Sequence, residues 1–407
     1  MTDARIDHRT LYRLPWTLPD NAISWLEPTS ACNLQCDGCY RENVAGSHKP
    51  LHVVEQEIEA FVRLRNVDGI SVAGGDPLMH PEIVEIVRLI AKKGIKPVIN
   101  TNGGKLTPEL LRALKSAGAY GFTFHVDSKQ GRPHWKNKSE VEMNALRLEY
   151  AEMVAETGGM SCSFNSTVYD DTLHSVPDLV EWAAKHIDIV NVMVFILYRA
   201  AVPQLPFDWY AGGKKIDMSA LAYGETRERT IDLKSTHVVG EIRKRFPEFT
   251  PCAYLNGTEK ADSFKWLLTG RIGSKEKIYG YVGPKFMEIM QTMHHLGTGR
   301  YLAYEKPSLT RKGRSMMLLA AFDRQVRKIA GRYASAALRN PLRLAAGLHY
   351  QSVMIIQPVD FLENGYQNMC DGCPDMTLWN GELVWSCRME ELKHFGCWVR
   401  TVPACKA

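Results

Sequence analysis

From Ile23 to about Ala200 the chain alternates short strand-like runs with amphipathic helical runs, at a spacing of roughly 25 to 47 residues. This alternation restricts the fold more than any other feature. Strands separated by helices return parallel to one another, and the helices cover the sheet. Strands are expected to begin at Ile23, Ile70, Ile95, Tyr120, Met160 and Ile189. Between them, Ile83, Ile86, Val87 and Ile90 share one helical face that ends at Gly94, a residue suited to a left-handed cap. A second helix is expected from Thr107 as N-cap, with Pro108 at its first position, to Gly118, and Ser139 to Glu142 reads as the capping box of a third.

The loop after the first strand reads Cys32-Asn-Leu-Gln-Cys36-Asp-Gly-Cys39, followed by Tyr40. Three thiols in this spacing can hold three irons of a cubane cluster and leave the fourth iron without a protein ligand. An open iron binds a substrate or cofactor, whereas a structural site closes its coordination sphere. The competing reading, a zinc knuckle, needs a fourth ligand nearby, and neither Cys nor His occurs between Tyr40 and Gly46. The segments after the next strands carry small polar residues: Ala73-Gly74-Gly75-Asp76-Pro77, Asn100-Thr101-Asn102-Gly103-Gly104 and His125-Val126-Asp127-Ser128, with Asn165 inside Ser163 to Thr167. Each of the first two is also a good turn in its own right.

Of ten cysteines, five follow Met369, and Cys162 and Cys252 stand alone in between. In a chain of 407 residues that grouping points to metal sites in a reducing compartment rather than a disulfide framework. Cys162 and Cys252 read as buried packing, with Cys252 also a distant candidate ligand. Cys370-Asp-Gly-Cys373 precedes Leu378 to Trp385, which alternates around Asn380-Gly381 as a tight hairpin does, and Cys387 follows. The hairpin brings three thiolates together at small loop-closure cost, with Cys397 or Cys405 as a fourth ligand. Zinc would satisfy the same thiolates.

The formal charge of +5 is small for this length and makes no case for nucleic acid. No apolar core of a secretion signal occurs between Met1 and Asn21, and no run is long enough to span a bilayer, so a cytoplasmic protein is expected. The stretch from Lys306 to Arg343 differs, with ten basic residues and one acid, Asp323. Leu318, Phe322, Val326, Ile329 and Tyr333 recur at helical spacing while Arg324, Arg327, Lys328 and Arg332 lie largely off that face. Such a helix either docks on an anionic membrane surface or packs on the body of the protein with a solvated basic face.

The cysteine loop resembles the defining loop of the radical S-adenosylmethionine (radical SAM) superfamily, GGDP resembles its GGEP motif with Asp for Glu, and the tail resembles a SPASM or twitch extension. Two departures are that Gly38 stands where an aromatic residue is usual, and that His125 replaces the Ser of a Ser-x-Asp pattern. The resemblance implies an α/β fold, a partial (β/α)6 barrel over residues 23–200 after an N-terminal segment 1–22. A linker and mostly helical segment, 201–350, and an auxiliary iron-sulfur domain, 351–407, would follow. It implies a 4Fe-4S cluster on Cys32, Cys36 and Cys39, and S-adenosylmethionine held by Gly74, Gly75, Asp76, Asn100, Asn102, Asp127 and Asn165. An auxiliary 4Fe-4S cluster would sit among Cys370, Cys373, Cys387, Cys397 and Cys405. The implied activity is reductive cleavage of S-adenosylmethionine to a 5′-deoxyadenosyl radical that takes hydrogen from an unactivated carbon. Its partner would be a low-potential electron donor of the flavodoxin or ferredoxin type. A lipid or other hydrophobic substrate is expected from the basic helix; the alternatives are a peptide maturase of the SPASM type and a non-catalytic electron-transfer protein.

Overall fold

A computed structural model describes residues 3–199, 206–222, 224 and 233–404. Six parallel strands, Ile23–Thr29, Gly69–Gly74, Lys96–Thr101, Gly121–His125, Ser161–Val168 and Val192–Leu197, lie side by side in chain order. Each starts within a few residues of its expected position. The helix Ile83–Lys92 buries the four predicted isoleucine and valine side chains, and Gly94 takes a φ of +68° just past its end. Thr107 caps the helix Pro108–Ala117 by accepting from the Leu110 amide, and Gly118 closes it in the left-handed region. Ser139 and Glu142 bond reciprocally as a capping box, but around a turn, since the helix itself begins at Asn144.

The sheet continues beyond the sixth strand. His349–Ile356 pairs parallel with Val192–Leu197, and Trp266–Gly273 pairs antiparallel with His349–Ile356. Ala253–Leu255, Ile278–Tyr281 and the short Tyr12–Arg13 extend the far side. The segment expected as linker and mostly helical, 201–350, thus adds strands to the sheet beside its helices, and His349–Ile356 crosses its expected boundary at 350 to join the main sheet. Every residue of Trp266–Gly273 is buried, so the strand lacks the alternation by which a half-exposed strand is recognised. Cys162 lies in the large core between sheet and helices. Cys252 lies in a second core with Trp16, Trp266, Val326 and Ile329, its Sγ 3.4 Å from the Leu268 carbonyl oxygen.

The basic helix runs Arg324–Arg339 and buries Val326, Ile329 and Tyr333 against the second core. Leu318 and Phe322, expected on the same face, are 79% and 68% exposed. They fall in and just after the turn Met317–Ala321, before the cap at Asp323 where the chain changes direction, so the helical period does not carry through them. Among the described residues no helix is long and apolar enough to cross a membrane.

Candidate cluster and cofactor cavity

Loops at the C-terminal ends of the parallel strands enclose a cavity of about 520 Å³, and Cys32, Cys36, Cys39, Cys370, Cys373 and Cys387 all line it. The first loop is held by its own polar residues. Asn43 accepts from the Cys32 amide (2.9 Å) and donates to the Cys32 carbonyl (3.0 Å), and the Tyr169 hydroxyl donates to the Asp37 carbonyl (2.6 Å). Gly38 has φ +73°, and a Cβ there would lie 2.4 Å from the ring of Tyr198. The aromatic residue missing from the loop is thus replaced in space by one from the end of the sixth strand.

Cys32 Sγ faces the Leu34 amide at 3.5 Å and Asn102 Nδ2 at 3.7 Å, donors of the kind that stabilise negative charge on a metal-bound sulfur. Burial pushes all three thiols above their ordinary range. Cys39 remains reachable from the cavity, yet protein surrounds it closely enough for the same effect. Thiols held this way keep their protons at neutral pH unless a metal displaces them, which suits ligands better than free nucleophiles.

On the opposite wall the hairpin Met376–Trp379 and Glu382–Trp385 turns at Asn380 and Gly381, both with positive φ as a two-residue I′ loop demands. It delivers Cys387, whose thiol burial pushes up to about 12, beside Cys370 and Cys373. The Cys373 thiol is raised by its hydrogen bond with Cys370 and then by burial. Cys397 is half-buried after the helix Met389–Phe395 and does not line the cavity; Cys405 lies outside the described residues. An acid not singled out from sequence, Asp375, lines the cavity at this end, and burial pushes its carboxyl up to about 7.

Of the residues expected to hold S-adenosylmethionine, Gly74, Gly75, Asn100, Asn102 and Asn165 line the cavity. A Cβ on Gly74 or Gly75 would come within 2.2 Å of the Thr29 carbonyl oxygen or 2.4 Å of that of Ala31. The glycines therefore let this turn press against the backbone that leads into the cysteine loop. Asn100 Nδ2 and Trp25 Nε1 are buried in the cavity wall without a hydrogen-bond partner among the described residues. Such donors are costly to bury unless a ligand accepts from them.

Asp76 and Asp127 do not line the cavity, contrary to the expectation of direct contact. Asp76 accepts from Thr101 Oγ1 (2.8 Å) and from the Asn102 (2.8 Å) and Leu78 (2.9 Å) amides, tying two cavity turns together. Asp127 is buried behind His125, whose Nε2 lies 3.0 Å from Asp127 Oδ2 and 3.0 Å from Thr167 Oγ1. Burial alone would raise Asp127, but the interaction with His125, together with hydrogen bonds from the Lys129 amide and Thr167, holds the carboxyl low. His125 and Thr167 line the cavity in its place. Sequence weighed Asp127 over His125 because a period-two strand residue and its neighbours do not reveal which side chain ends at the opening.

The two cysteine walls are joined by buried arginines. Arg41 makes a fork to Glu27 (Nε to Oε2 2.7 Å, Nη2 to Oε1 2.6 Å) and also donates to the Ser386 carbonyl at 2.5 Å, beside Cys387. Arg65 donates to the Cys373 carbonyl (2.7 Å), the Ile23 carbonyl (2.9 Å) and the Leu18 carbonyl (2.8 Å).

Residues 26–183 match the profile of the Radical SAM superfamily. The chain is 39% identical over 102 residues to a GTP 3′,8-cyclase of Chlorobaculum tepidum, covering 25% of this chain and 31% of the cyclase. It is 26% identical over 233 residues to an AdoMet-dependent heme synthase of Nitratidesulfovibrio vulgaris, covering 54% of this chain and 60% of the synthase. The chain thus spans less than two thirds of either curated relative. Streptococcus suis SuiB bound to S-adenosylmethionine superimposes with a TM-score of 0.36 at 16% identity over 46% of this chain and 42% of that one, too distant to bear on function. The match to that superfamily takes in the first cysteine loop and the parallel strands up to Ser161–Val168.

Proposed function

We propose that the protein is a radical SAM enzyme that acts on an unactivated carbon of a hydrophobic substrate. The observation that carries this reading is that two cysteine trios face one cavity, with unpartnered buried donors between them. Cys32, Cys36 and Cys39 are the ligands of the cluster that takes S-adenosylmethionine, and Cys370, Cys373 and Cys387 hold an auxiliary cluster. When bound, cluster and S-adenosylmethionine together supply a one-electron route to a carbon-centred radical, which chemistry without an acid-base handle requires.

The chain's own part is to bind, orient and shield. Asn100 and Trp25 offer donors to the cofactor, and Asn102 supports the Cys32 sulfur. Asn165 and His125 meet the ribose side, with His125 held in one orientation by Asp127 and Thr167. The apolar wall of Ile196, Leu197, Ile356 and Phe361 keeps water from the reacting carbon. Electrons come from a low-potential flavodoxin- or ferredoxin-type donor.

The lipid reading is supported by the exposed basic face of the helix Arg324–Arg339, with Arg324, Arg327 and Lys328 outward and the exposed Leu318, Phe322 and Leu338 beside it. A peptide substrate is the competing enzyme reading. The test is anaerobic incubation of the reconstituted protein with S-adenosylmethionine and a strong reductant, with and without lipid extract or candidate peptides. The expected result is release of 5′-deoxyadenosine, increased by lipid and lost in Cys36→Ala. Equal release by Cys36→Ala removes the cluster mechanism, and no release by either protein leaves electron transfer. Stimulation by peptide alone removes the lipid reading.

A further inference from the structure

At the rim of the cavity, which Glu42 lines and Glu390 and His394 do not, donor atoms of these three residues lie within 4.8 Å of one another. Glu42 follows the first cysteine loop, three residues beyond Cys39, whereas Glu390 and His394 belong to the helix Met389–Phe395. Their spacing of four puts them on one face, a turn apart. His394 Nε2 stands 3.6 Å from Glu42 Oε2.

Glu390 is the unusual member. It is fully buried; its Oε1 meets Lys393 Nζ at 2.8 Å and Arg41 Nη1 at 3.5 Å, while its Oε2 has no hydrogen-bond partner among the described residues. An ionised carboxylate out of water needs both oxygens satisfied. Two cations serve one oxygen and leave the other unserved, in a carboxylate that stands beside an imidazole and a second carboxylate.

We propose that Glu42, Glu390 and His394 form a binding site for a divalent first-row metal ion of the zinc or manganese type, separate from the cysteine sites. Two carboxylates and one imidazole are ligands that such ions take readily, and neither thiolate trio contributes. Glu42 lies half exposed, which gives the ion a path from solvent and leaves coordination positions for water. The ion would fasten the segment after the first cysteine loop to the C-terminal helix, across the same junction that Arg41 spans from inside.

The site is tested on the holoprotein with its clusters intact and oxidised, by titrating Mn2+ and following the loss of the free-ion EPR signal. The expected result is one saturable Mn2+ per chain, displaced by Zn2+. Binding should be weakened at least tenfold by Glu42→Gln and by His394→Ala, and unaffected by Glu276→Gln at an exposed acid elsewhere. Glu42 is on the surface and its substitution leaves folding intact, so the test does not depend on Glu390→Gln remaining folded. No saturable binding, or binding unchanged in Glu42→Gln and His394→Ala, overturns the proposal.

Discussion

Burial sets the protonation of Glu305. Desolvation pushes its carboxyl up to about 6, Lys96 offsets only part of this, and Asp68 adds to it. Its Oε2 lacks a hydrogen-bond partner among the described residues. A carboxyl raised in the folded state binds more protons there than in the unfolded chain, so stability falls as pH rises between the ordinary value of 4.5 and about 6. Glu305→Gln should flatten that part of the profile and raise the denaturant midpoint at pH 7, measured by chemical unfolding at a series of pH values; an unchanged slope would count against it. The cavity shows the same dependence on surroundings. The two cysteine trios and the asparagines that line the cavity were legible because their chemistry is written in their type and spacing, whereas Cys397 shares the type but not the place. Asp76 and Asp127 were not, because a carboxylate that ties turns together and one that meets a ligand have the same letter. His125 emerges only once the strand shows which side chain ends at the opening.

At the level of elements, Asp323 explains why one acid interrupts a basic stretch. It caps the helix Arg324–Arg339 by accepting from the Gln325 (2.8 Å) and Val326 (2.9 Å) amides, and its other oxygen accepts from the Phe286 amide (3.0 Å), at the start of the helix Pro284–Thr298. One buried carboxylate thus serves two helix N-termini, where negative charge is favoured. Asp323→Ala should cost about 2 to 4 kcal/mol, the sum of a lost cap and unsatisfied buried amides, and Asp323→Asn distinctly less. Thermal unfolding reads both, and equal losses would mean that charge, not the hydrogen-bond pattern, dominates. Elements with a repeating face or a cap, such as Ile83–Lys92 and Pro108–Ala117, were readable because burial on one side imprints a period. Trp266–Gly273 has protein on both sides and therefore none.

Across the whole molecule, the C-terminal block is attached to the parallel sheet by charge buried at the junction. Arg41 and Glu27 keep only 2% and 4% of their side-chain surface exposed, and Glu390 keeps none. Arg332 and Glu248 form a pair of equal 2.6 Å length, but at 46% and 63% exposure. Distance therefore does not separate the two; desolvation does. Removing one partner of a buried pair strands the other charge and costs about 3 to 5 kcal/mol, whereas an exposed pair is worth at most about 1 kcal/mol. Arg41→Met should accordingly destabilise by several kcal/mol, while Arg332→Met changes little. Because Arg41 also holds the Ser386 carbonyl beside Cys387, its loss should loosen both cysteine walls together. Iron content and the cluster absorption of the reconstituted Arg41→Met protein are expected to fall for both sites, with Arg41→Lys intermediate, since it keeps the charge but not the fork. Full iron loading in Arg41→Met would show instead that the two walls hold their positions independently, leaving Arg65 and the hairpin as the attachment.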